Sequence, residues 1–334
     1  MAKIDDFLSK VLIDPLDRTP LIVSKTLEGN ISEIKNKSGS SYPIIDRVID
    51  FENSSNYADN FGDQWIRFPK LQLDSFTGTS ISKDRFFGAL KVNPKELKGK
   101  FLLDVGCGTG RFAEIALKAG AYVIGLDYSK AAHVASKNLE NYKNFRAIRG
   151  DIYKLPFKEN SFDIVYCLGV LQHTPNVEKA FKSLPPIVKK QGYLVVDYYW
   201  KRFRSLLFSG WKYPIRLITS NLKEATVLKI LRFIHPFVYP ISFYVSKFPY
   251  IGKTLSRLLP VVNYTNDHPE LSDRLLREWS FLDTYDTWAP KYDQPQTVDT
   301  VMRWASECGL KKVSCEQVGH LVVRGLVTQN AKAK

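Results

Sequence analysis

Phe101-Leu-Leu-Asp-Val-Gly-Cys-Gly-Thr-Gly-Arg-Phe112 is the stretch whose reading decides the fold. An apolar run carrying one acid, Asp104, breaks into three alternating glycines and resumes as a helix-like pattern. Leu102 to Val105 read as a buried strand bounded by Lys100 and Gly106, and Arg111 to Ala119 as the helix that follows. Glycines at 106, 108 and 110 permit positive φ and let a ligand approach the backbone where a Cβ would collide. The helix behind them offers unpaired N–H groups and the positive end of its dipole. Spacing narrows the ligand. A dinucleotide turn has G-x-G-x-x-G, whereas here the third glycine comes one residue early and Arg111 takes its place. A P-loop is excluded because no Gly-Lys-Ser/Thr follows. An acid at the strand end suits a cationic ligand bearing an ammonium group better than a pyrophosphate.

The run Asp104-x-Gly106-x-Gly108-x-Gly110 resembles the cofactor turn of class I S-adenosylmethionine-dependent methyltransferases. The resemblance implies S-adenosylmethionine as cofactor, held at Asp104, Gly106, Cys107, Gly108 and Gly110. Ala121-Tyr-Val-Ile-Gly-Leu-Asp-Tyr-Ser129 reads as a second strand ending on Asp127, 21 residues after Gly106. That spacing places an acid where it accepts hydrogen bonds from ribose hydroxyls. Phe145 to Arg149 is a third strand, followed by Gly150-Asp151-Ile152. By resemblance, Asp151 meets the adenine amine and Ile152 packs on the ring, while Tyr128 and Leu168 complete the cofactor set. Ile164 to Gly169 is the fourth strand and Gly192 to Tyr199 the fifth. Thr297 to Cys308 is a late helix, and Leu310 to Glu316 with His320 to Leu326 form a closing antiparallel pair. The expected fold is therefore α/β, a Rossmann-like doubly wound seven-stranded sheet spanning 99–198 and 296–327, with a tail from 328 that frays.

Composition bounds the rest. With 334 residues, ordinary hydrophobic and charged fractions and four cysteines without C-x-x-C spacing, the chain reads as globular and suited to a reducing compartment. Met1-Ala-Lys-Ile-Asp-Asp lacks a basic region followed by an apolar run, and no apolar stretch reaches the ~18 residues of a membrane span, so a cytoplasmic location is expected. The net charge of +14 is concentrated: from Trp200 to Tyr264 there are eleven Lys or Arg residues against one acid, Glu224. A concentrated excess points to an acidic partner.

Residues 1–50 resemble the zinc ribbon of the tRNA-methyltransferase activator family, with Leu12, Leu21, Ile44 and Val48 as core. Where that ribbon has Cys-Pro-x-Cys, this chain has Asp14-Pro15-Leu16-Asp17, and no metal is expected. Residues 51–98 are aromatic and polar and read as a helical cover, with Gln64 and Arg85 as its candidate acceptor contacts. Residues 199–295 interrupt the strand-helix alternation. Prolines at 236, 240, 249 and 260 predict short amphipathic helices rather than one long helix, acting as a substrate lid. Apolar residues between lysines also suit a helix lying on the anionic inner face of a membrane. The acidic and aromatic segment 281–296 reads as the other wall of the acceptor pocket.

Methyl transfer requires alignment of donor and acceptor and, for a hydroxyl, removal of a proton. His173, in Val170-Leu-Gln-His-Thr174 at the end of the fourth strand, is the leading base candidate, and Asp197 on the fifth strand the second; His320 and His268 rank behind them. Gln172 and Tyr198 are candidate acceptor contacts. No Asn/Asp-Pro-Pro-Tyr motif follows the fourth strand, and no RNA-recognition motif is present. The favoured acceptor is thus a small-molecule, glycan or lipid-linked hydroxyl. An RNA methyltransferase gripping through the basic insertion and a cofactor-binding scaffold without turnover are the rival readings.

Overall fold

The structure, a computed structural model, describes residues 2–52, 56–201 and 212–328. Residues 202–211, at the start of the basic stretch, and the tail from 329 lie outside the described residues. The chain opens with helix α1 (Ala2–Val11) and strands β1 (Ile22–Lys25), β2 (Ile31–Lys35), β3 (Ser41–Tyr42), β4 (Ile44–Ile45) and β5 (Val48–Asp50). Helices α2 (Asp59–Arg67), α3 (Asp74–Thr77) and α4 (Ile81–Leu90) follow. Alternation then begins with β6 (Phe101–Val105), α5 (Arg111–Lys118), β7 (Tyr122–Asp127), α6 (Ala131–Asn138) and β8 (Phe145–Arg149). It continues with β9 (Phe162–Cys167), α7 (Val177–Lys182) and β10 (Val188–Tyr198). After α8 (Lys212–Thr219), α9 (Glu224–Ser246), α10 (Gly252–Ser256) and α11 (Asp273–Trp288), the chain ends in α12 (Val298–Glu307), β11 (Leu310–Val318) and β12 (His320–Val327).

The chain divides into two compact units. The first comprises Met1–Pro69, Ser80–Trp200 and Gln294–Lys334. Its sheet runs β11-β12-β10-β9-β6-β7-β8-β5-β4. Strands β8, β7, β6, β9 and β10 are parallel, and β12 and β11 close that side antiparallel. The seven expected strands are all present, and β5 and β4 extend the sheet by two. Val48 to Asp50 were assigned by sequence to a separate ribbon-like module; instead they pair in parallel with Ala147 to Arg149. The cause is in β8, where Arg146 and Arg149 are buried and need counter-charges. Asp5 of α1 meets Arg146 at 2.7 Å and Asp50 of β5 meets Arg149 at 3.3 Å, so the N-terminal segment supplies both. Asp14 is likewise committed locally, accepting from Leu16 N–H at 2.7 Å and from the Tyr42 hydroxyl at 2.8 Å.

Strand alternation sorts the core into two faces. Leu103, Val105, Ile124, Ile148, Val165, Val196 and Tyr198 pack with Ile4 and Leu8 of α1, Phe181 of α7 and Trp304 of α12. Leu102, Val123, Ala147, Ile164, Tyr166 and Val195 pack with Phe86 of α4, Phe112 of α5 and Ala132 of α6.

The second unit comprises Lys70–Thr79 and Lys201–Asp293. Val227 and Leu231 of α9 pack against Tyr285 and Trp288 of α11, and His235 shares a 3.0 Å hydrogen bond with the Ser280 hydroxyl. The expected break at the prolines does not occur: α9 continues for 23 residues through Pro236 and Pro240. Each proline deprives the carbonyl four residues earlier, those of Arg232 and Pro236, of its donor. Both of those residues are exposed, so water can serve the freed carbonyls, while the buried stripe on the opposite side keeps the helix in one piece.

Candidate functional site

The turn after β6 is built by its glycines. Gly106, Gly108 and Gly110 have φ of +76°, +52° and +86°. The N–H groups of Gly106 and Cys107 both donate to the Leu126 carbonyl at 2.7 and 3.1 Å, clamping the turn to the end of β7. A Cβ on Gly106 would stand 2.4 Å from Val170 Cγ2, so this residue lets the turn after β9 pack against the turn after β6. Above Gly108 lies the indole of Trp65, its Nε1 3.3 Å from where a Cβ would stand. Cys107 turns its side chain away, under Gly125 and Phe145, and burial pushes its thiol well up. It contributes backbone only.

Two acids stand at the strand ends. Asp104 is buried, its Oδ2 has no hydrogen-bond partner among the described residues, and burial pushes its carboxyl up to about 8 against the pull of the Tyr166 hydroxyl. Asp127 is held by three donors. Gly108 N–H reaches its Oδ2 at 2.9 Å, and Ser129 gives its N–H at 2.9 Å and its hydroxyl at 2.7 Å to Oδ1. A carboxylate accepts about four hydrogen bonds, so one direction is left. Burial raises its pKa despite these donors. Beside it, Tyr57 and Tyr128 face each other with ring centroids 5.2 Å apart. Asp151 caps the short helix after β8 by accepting from Tyr153 N–H at 2.9 Å, is half-buried and is raised by that burial; Ile152 is buried.

At the ends of β9 and β10 a second constellation forms. Asp197 accepts from Arg85 Nη2 at 2.9 Å and from Gly169 N–H. His320 Nδ1, on the first residue of β12, lies 3.5 Å from Asp197 Oδ2. Burial drives the His320 imidazole down to about 4 even though Asp197 pulls it up. Tyr199 presents its ring to both His173 and His320, with centroids 5.4 and 5.3 Å away. Gln172 is fully buried, and neither atom of its amide has a partner among the described residues.

The sequence-derived set thus falls into three groups. Asp104, Gly106, Gly108, Gly110, Asp127, Tyr128, Asp151 and Ile152 occupy the C-terminal ends of β6, β7 and β8 or the segments just beyond them, and Leu168 follows β9. Arg85, Asp197, Gln172 and His173 gather around the ends of β9 and β10, and Gln64 is buried in α2 next to Trp65. Tyr198 does not join them. It lies in the core on the other face of the sheet, its ring 6.3 Å from that of Trp304. Strand alternation explains this: Asp197 and Tyr199 share one face and Tyr198 takes the opposite one. Tyr199, Trp65 and Tyr57 border these groups; from sequence Trp65 reads as core, and Tyr199 and Tyr57 are not singled out. The period-2 phase set by Asp197 would have found Tyr199.

Residues 103–196 match the family described as methyltransferase domain. A ubiquinone biosynthesis O-methyltransferase of Coxiella burnetii is 31% identical over 144 residues, covering 42% of this chain and 59% of that protein. A sterol 24-C-methyltransferase of Saccharomyces cerevisiae is 38% identical over 142 residues, covering 40% of this chain and 36% of that protein. The chain thus spans between a third and three-fifths of the length of these curated relatives. Among solved structures, human N-acetylserotonin methyltransferase in complex with SAM aligns with a TM-score of 0.46 at 10% identity, over 80% of this chain and 57% of that one. The glycine turn, the acids at the ends of β6 and β7, and the matched family together identify residues 103–196 as a methyltransferase domain of the class I, S-adenosylmethionine-dependent family.

Proposed function

We propose that the chain transfers the methyl group of S-adenosylmethionine to a hydroxyl of a small-molecule, glycan or lipid-linked acceptor. The observation that carries this reading is the turn at Gly106 to Gly110, at positive φ and tied through Gly108 N–H to the acid at the end of the next strand. The side chains fit the cofactor's parts. Asp104 offers an unpartnered buried carboxyl oxygen, which an ammonium group would draw into the charged form, and Asp127 offers its remaining acceptor direction to the ribose. Asp151, Ile152 and the Tyr57–Tyr128 pair supply an acid, an apolar wall and two rings at the adenine end. Of the relatives reported above, one is named for O-methylation in ubiquinone biosynthesis and the other for C-methylation of a sterol; the first supports transfer to oxygen, and both names support a hydrophobic acceptor.

When bound, S-adenosylmethionine supplies an electrophilic methyl carbon; the rest is positioning and proton removal. Asp197 is held by Arg85 and Gly169, so its role is to position rather than to act as base. It stands 3.5 Å from Nδ1 of His320, a position from which its charge attracts a proton on Nδ1 rather than on Nε2, and a small approach would turn the contact into a hydrogen bond that leaves Nε2 as the acceptor. Burial keeps His320 neutral near pH 7 but makes it a weak base, so it takes the hydroxyl proton only as the bond to the methyl group forms and that proton becomes acidic. His173, across Tyr199, flanks the same space and steers the acceptor.

Thermal melting with and without S-adenosylmethionine tests the binding half. A rise in Tm for the wild type that Asp127→Ala abolishes is expected, and no rise for the wild type refutes the reading. Labelled-methyl transfer into fractionated lysate tests the rest. Label in a lipid or glycan fraction, lost at least about 100-fold in His320→Gln, supports the proposal. Label confined to RNA, or binding without transfer to any fraction, refutes it.

A further inference from the structure

Helix α9 is apolar on two opposite sides, and only one of them is used inside the protein. Val227, Leu231, His235, Tyr239, Ser242 and Ser246 form the buried stripe. Phe233, Phe237, Ile241, Tyr244 and, just past the helix end, Phe248 form a second stripe and are 55–74% exposed. At about 100° per residue these five fall within an arc of about 80°. Further apolar side chains are exposed next in the chain: Tyr250 and Ile251 just before α10, Leu255 within it and Leu258 just after it. An exposed apolar run of this length on a soluble face marks an interaction site.

Charge identifies what covers it. Lys223, Lys229, Arg232, Lys247 and Arg257 are all exposed along the same stretch, and no acid occurs from 225 to 266. Lys229 and Lys247 fall about 40° to one side of Phe233 and so border the apolar stripe along its length. Lys253 is answered by Asp267 at 2.5 Å. A second copy of this chain would bring like charge against like charge. RNA would use the cations and the rings, but Ile241, Ile251, Leu255 and Leu258 offer nothing for bases to stack on. A surface with an apolar interior and anionic headgroups satisfies both components at once. No helix among the described residues is long and apolar enough to cross a membrane.

We infer that the face formed by Phe233, Phe237, Ile241 and Tyr244 of α9, with its border of Lys229, Arg232 and Lys247, docks the protein flat on an anionic lipid surface. This stands on the second unit alone and does not rest on the methyl-transfer reading. The test is co-sedimentation of the full chain with vesicles of phosphatidylcholine, with and without phosphatidylglycerol. The protein pellets with the anionic vesicles and far less with the neutral ones, and added salt weakens binding. Phe233→Ser/Phe237→Ser/Tyr244→Ser and Lys229→Gln/Arg232→Gln/Lys247→Gln each lower vesicle affinity at least about tenfold. All six side chains are exposed, so both variants keep the wild-type Tm, which confirms that they fold. Equal binding to neutral and anionic vesicles, or no binding to either, overturns the inference. So does retention of single-stranded RNA in place of vesicles, or concentration-dependent self-association abolished by the apolar triple variant.

Discussion

Gly106→Ala separates two costs that this turn combines. The residue sits at φ +76°, where an alanine is strained by about 1–2 kcal/mol. Its new Cβ would also stand 2.4 and 2.7 Å from the two methyls of Val170, closer than real Cβ contacts come. Forcing that overlap costs about 1–3 kcal/mol more. The sum, about 2–5 kcal/mol, corresponds to a drop in Tm of roughly 10 °C for a unit of this size. Gly99 provides the control: its φ is +77°, yet nothing lies within 4 Å of its Cβ position. Gly99→Ala therefore carries the backbone cost alone, about 1–2 kcal/mol. Val170→Ala in the Gly106→Ala background removes the two clashing methyls, keeps only the tight 3.1 Å approach of its own Cβ and leaves the strain, so the double-mutant cycle yields a coupling of about 1–3 kcal/mol. Thermal melts followed by circular dichroism measure all four variants. If Gly106→Ala is no worse than Gly99→Ala, or Val170→Ala brings no relief, then the contact between the turns after β6 and β9 is not what demands this glycine.

Three further outcomes follow from polar groups in the site. Gln172→Leu replaces a buried amide that has no partner among the described residues, and it stabilises the free protein by about 1–3 kcal/mol in denaturation while lowering acceptor turnover. A loss of stability would mean that the amide already has a structural role. Asp104, raised to about 8 by burial, binds its proton more tightly folded than unfolded, so its contribution is full below its ordinary pKa and is lost as pH rises toward 8. Asp104→Asn should therefore gain in Tm relative to the wild type between pH 5 and pH 8; a constant difference across that range sinks the assignment. His320 runs the other way. Depressed to about 4, it contributes stability above its ordinary pKa of 6.5 that is lost as pH falls toward 4, and His320→Gln flattens that acid limb.

What could be read from the sequence was whatever local spacing determines. The strand, the glycines and Asp127 lie within 27 residues, and steric rules at each position fix their roles. The contacts that assemble the second constellation are of another kind. Arg85 reaches Asp197 across 112 residues, and His320 reaches it from the closing hairpin, so only the packed sheet brings them together. Tyr198 was misassigned because its strand was read as a segment and not as two alternating faces. The prolines of α9 misled because local propensity was weighed without the buried stripe that overrides it. Parallel pairing of Val48 to Asp50 with β8 had no signal of its own; the signal was two arginines inside a strand that otherwise reads as core.

That pairing bears on how the edge of the sheet is closed to other molecules. Without α1, β4 and β5, strand β8 would be a bare parallel edge of five residues that are all buried in the folded chain, with the cations of Arg146 and Arg149 unanswered. Such an edge recruits strands from other molecules. In the full chain the sheet ends on β4, two residues long, and at its far side on β11, where Lys311 and Lys312 and a break in register interrupt pairing. A fragment trimmed to begin at Asn56 would keep every group assigned to the cofactor except the shelter of that edge, and its failure would be aggregation.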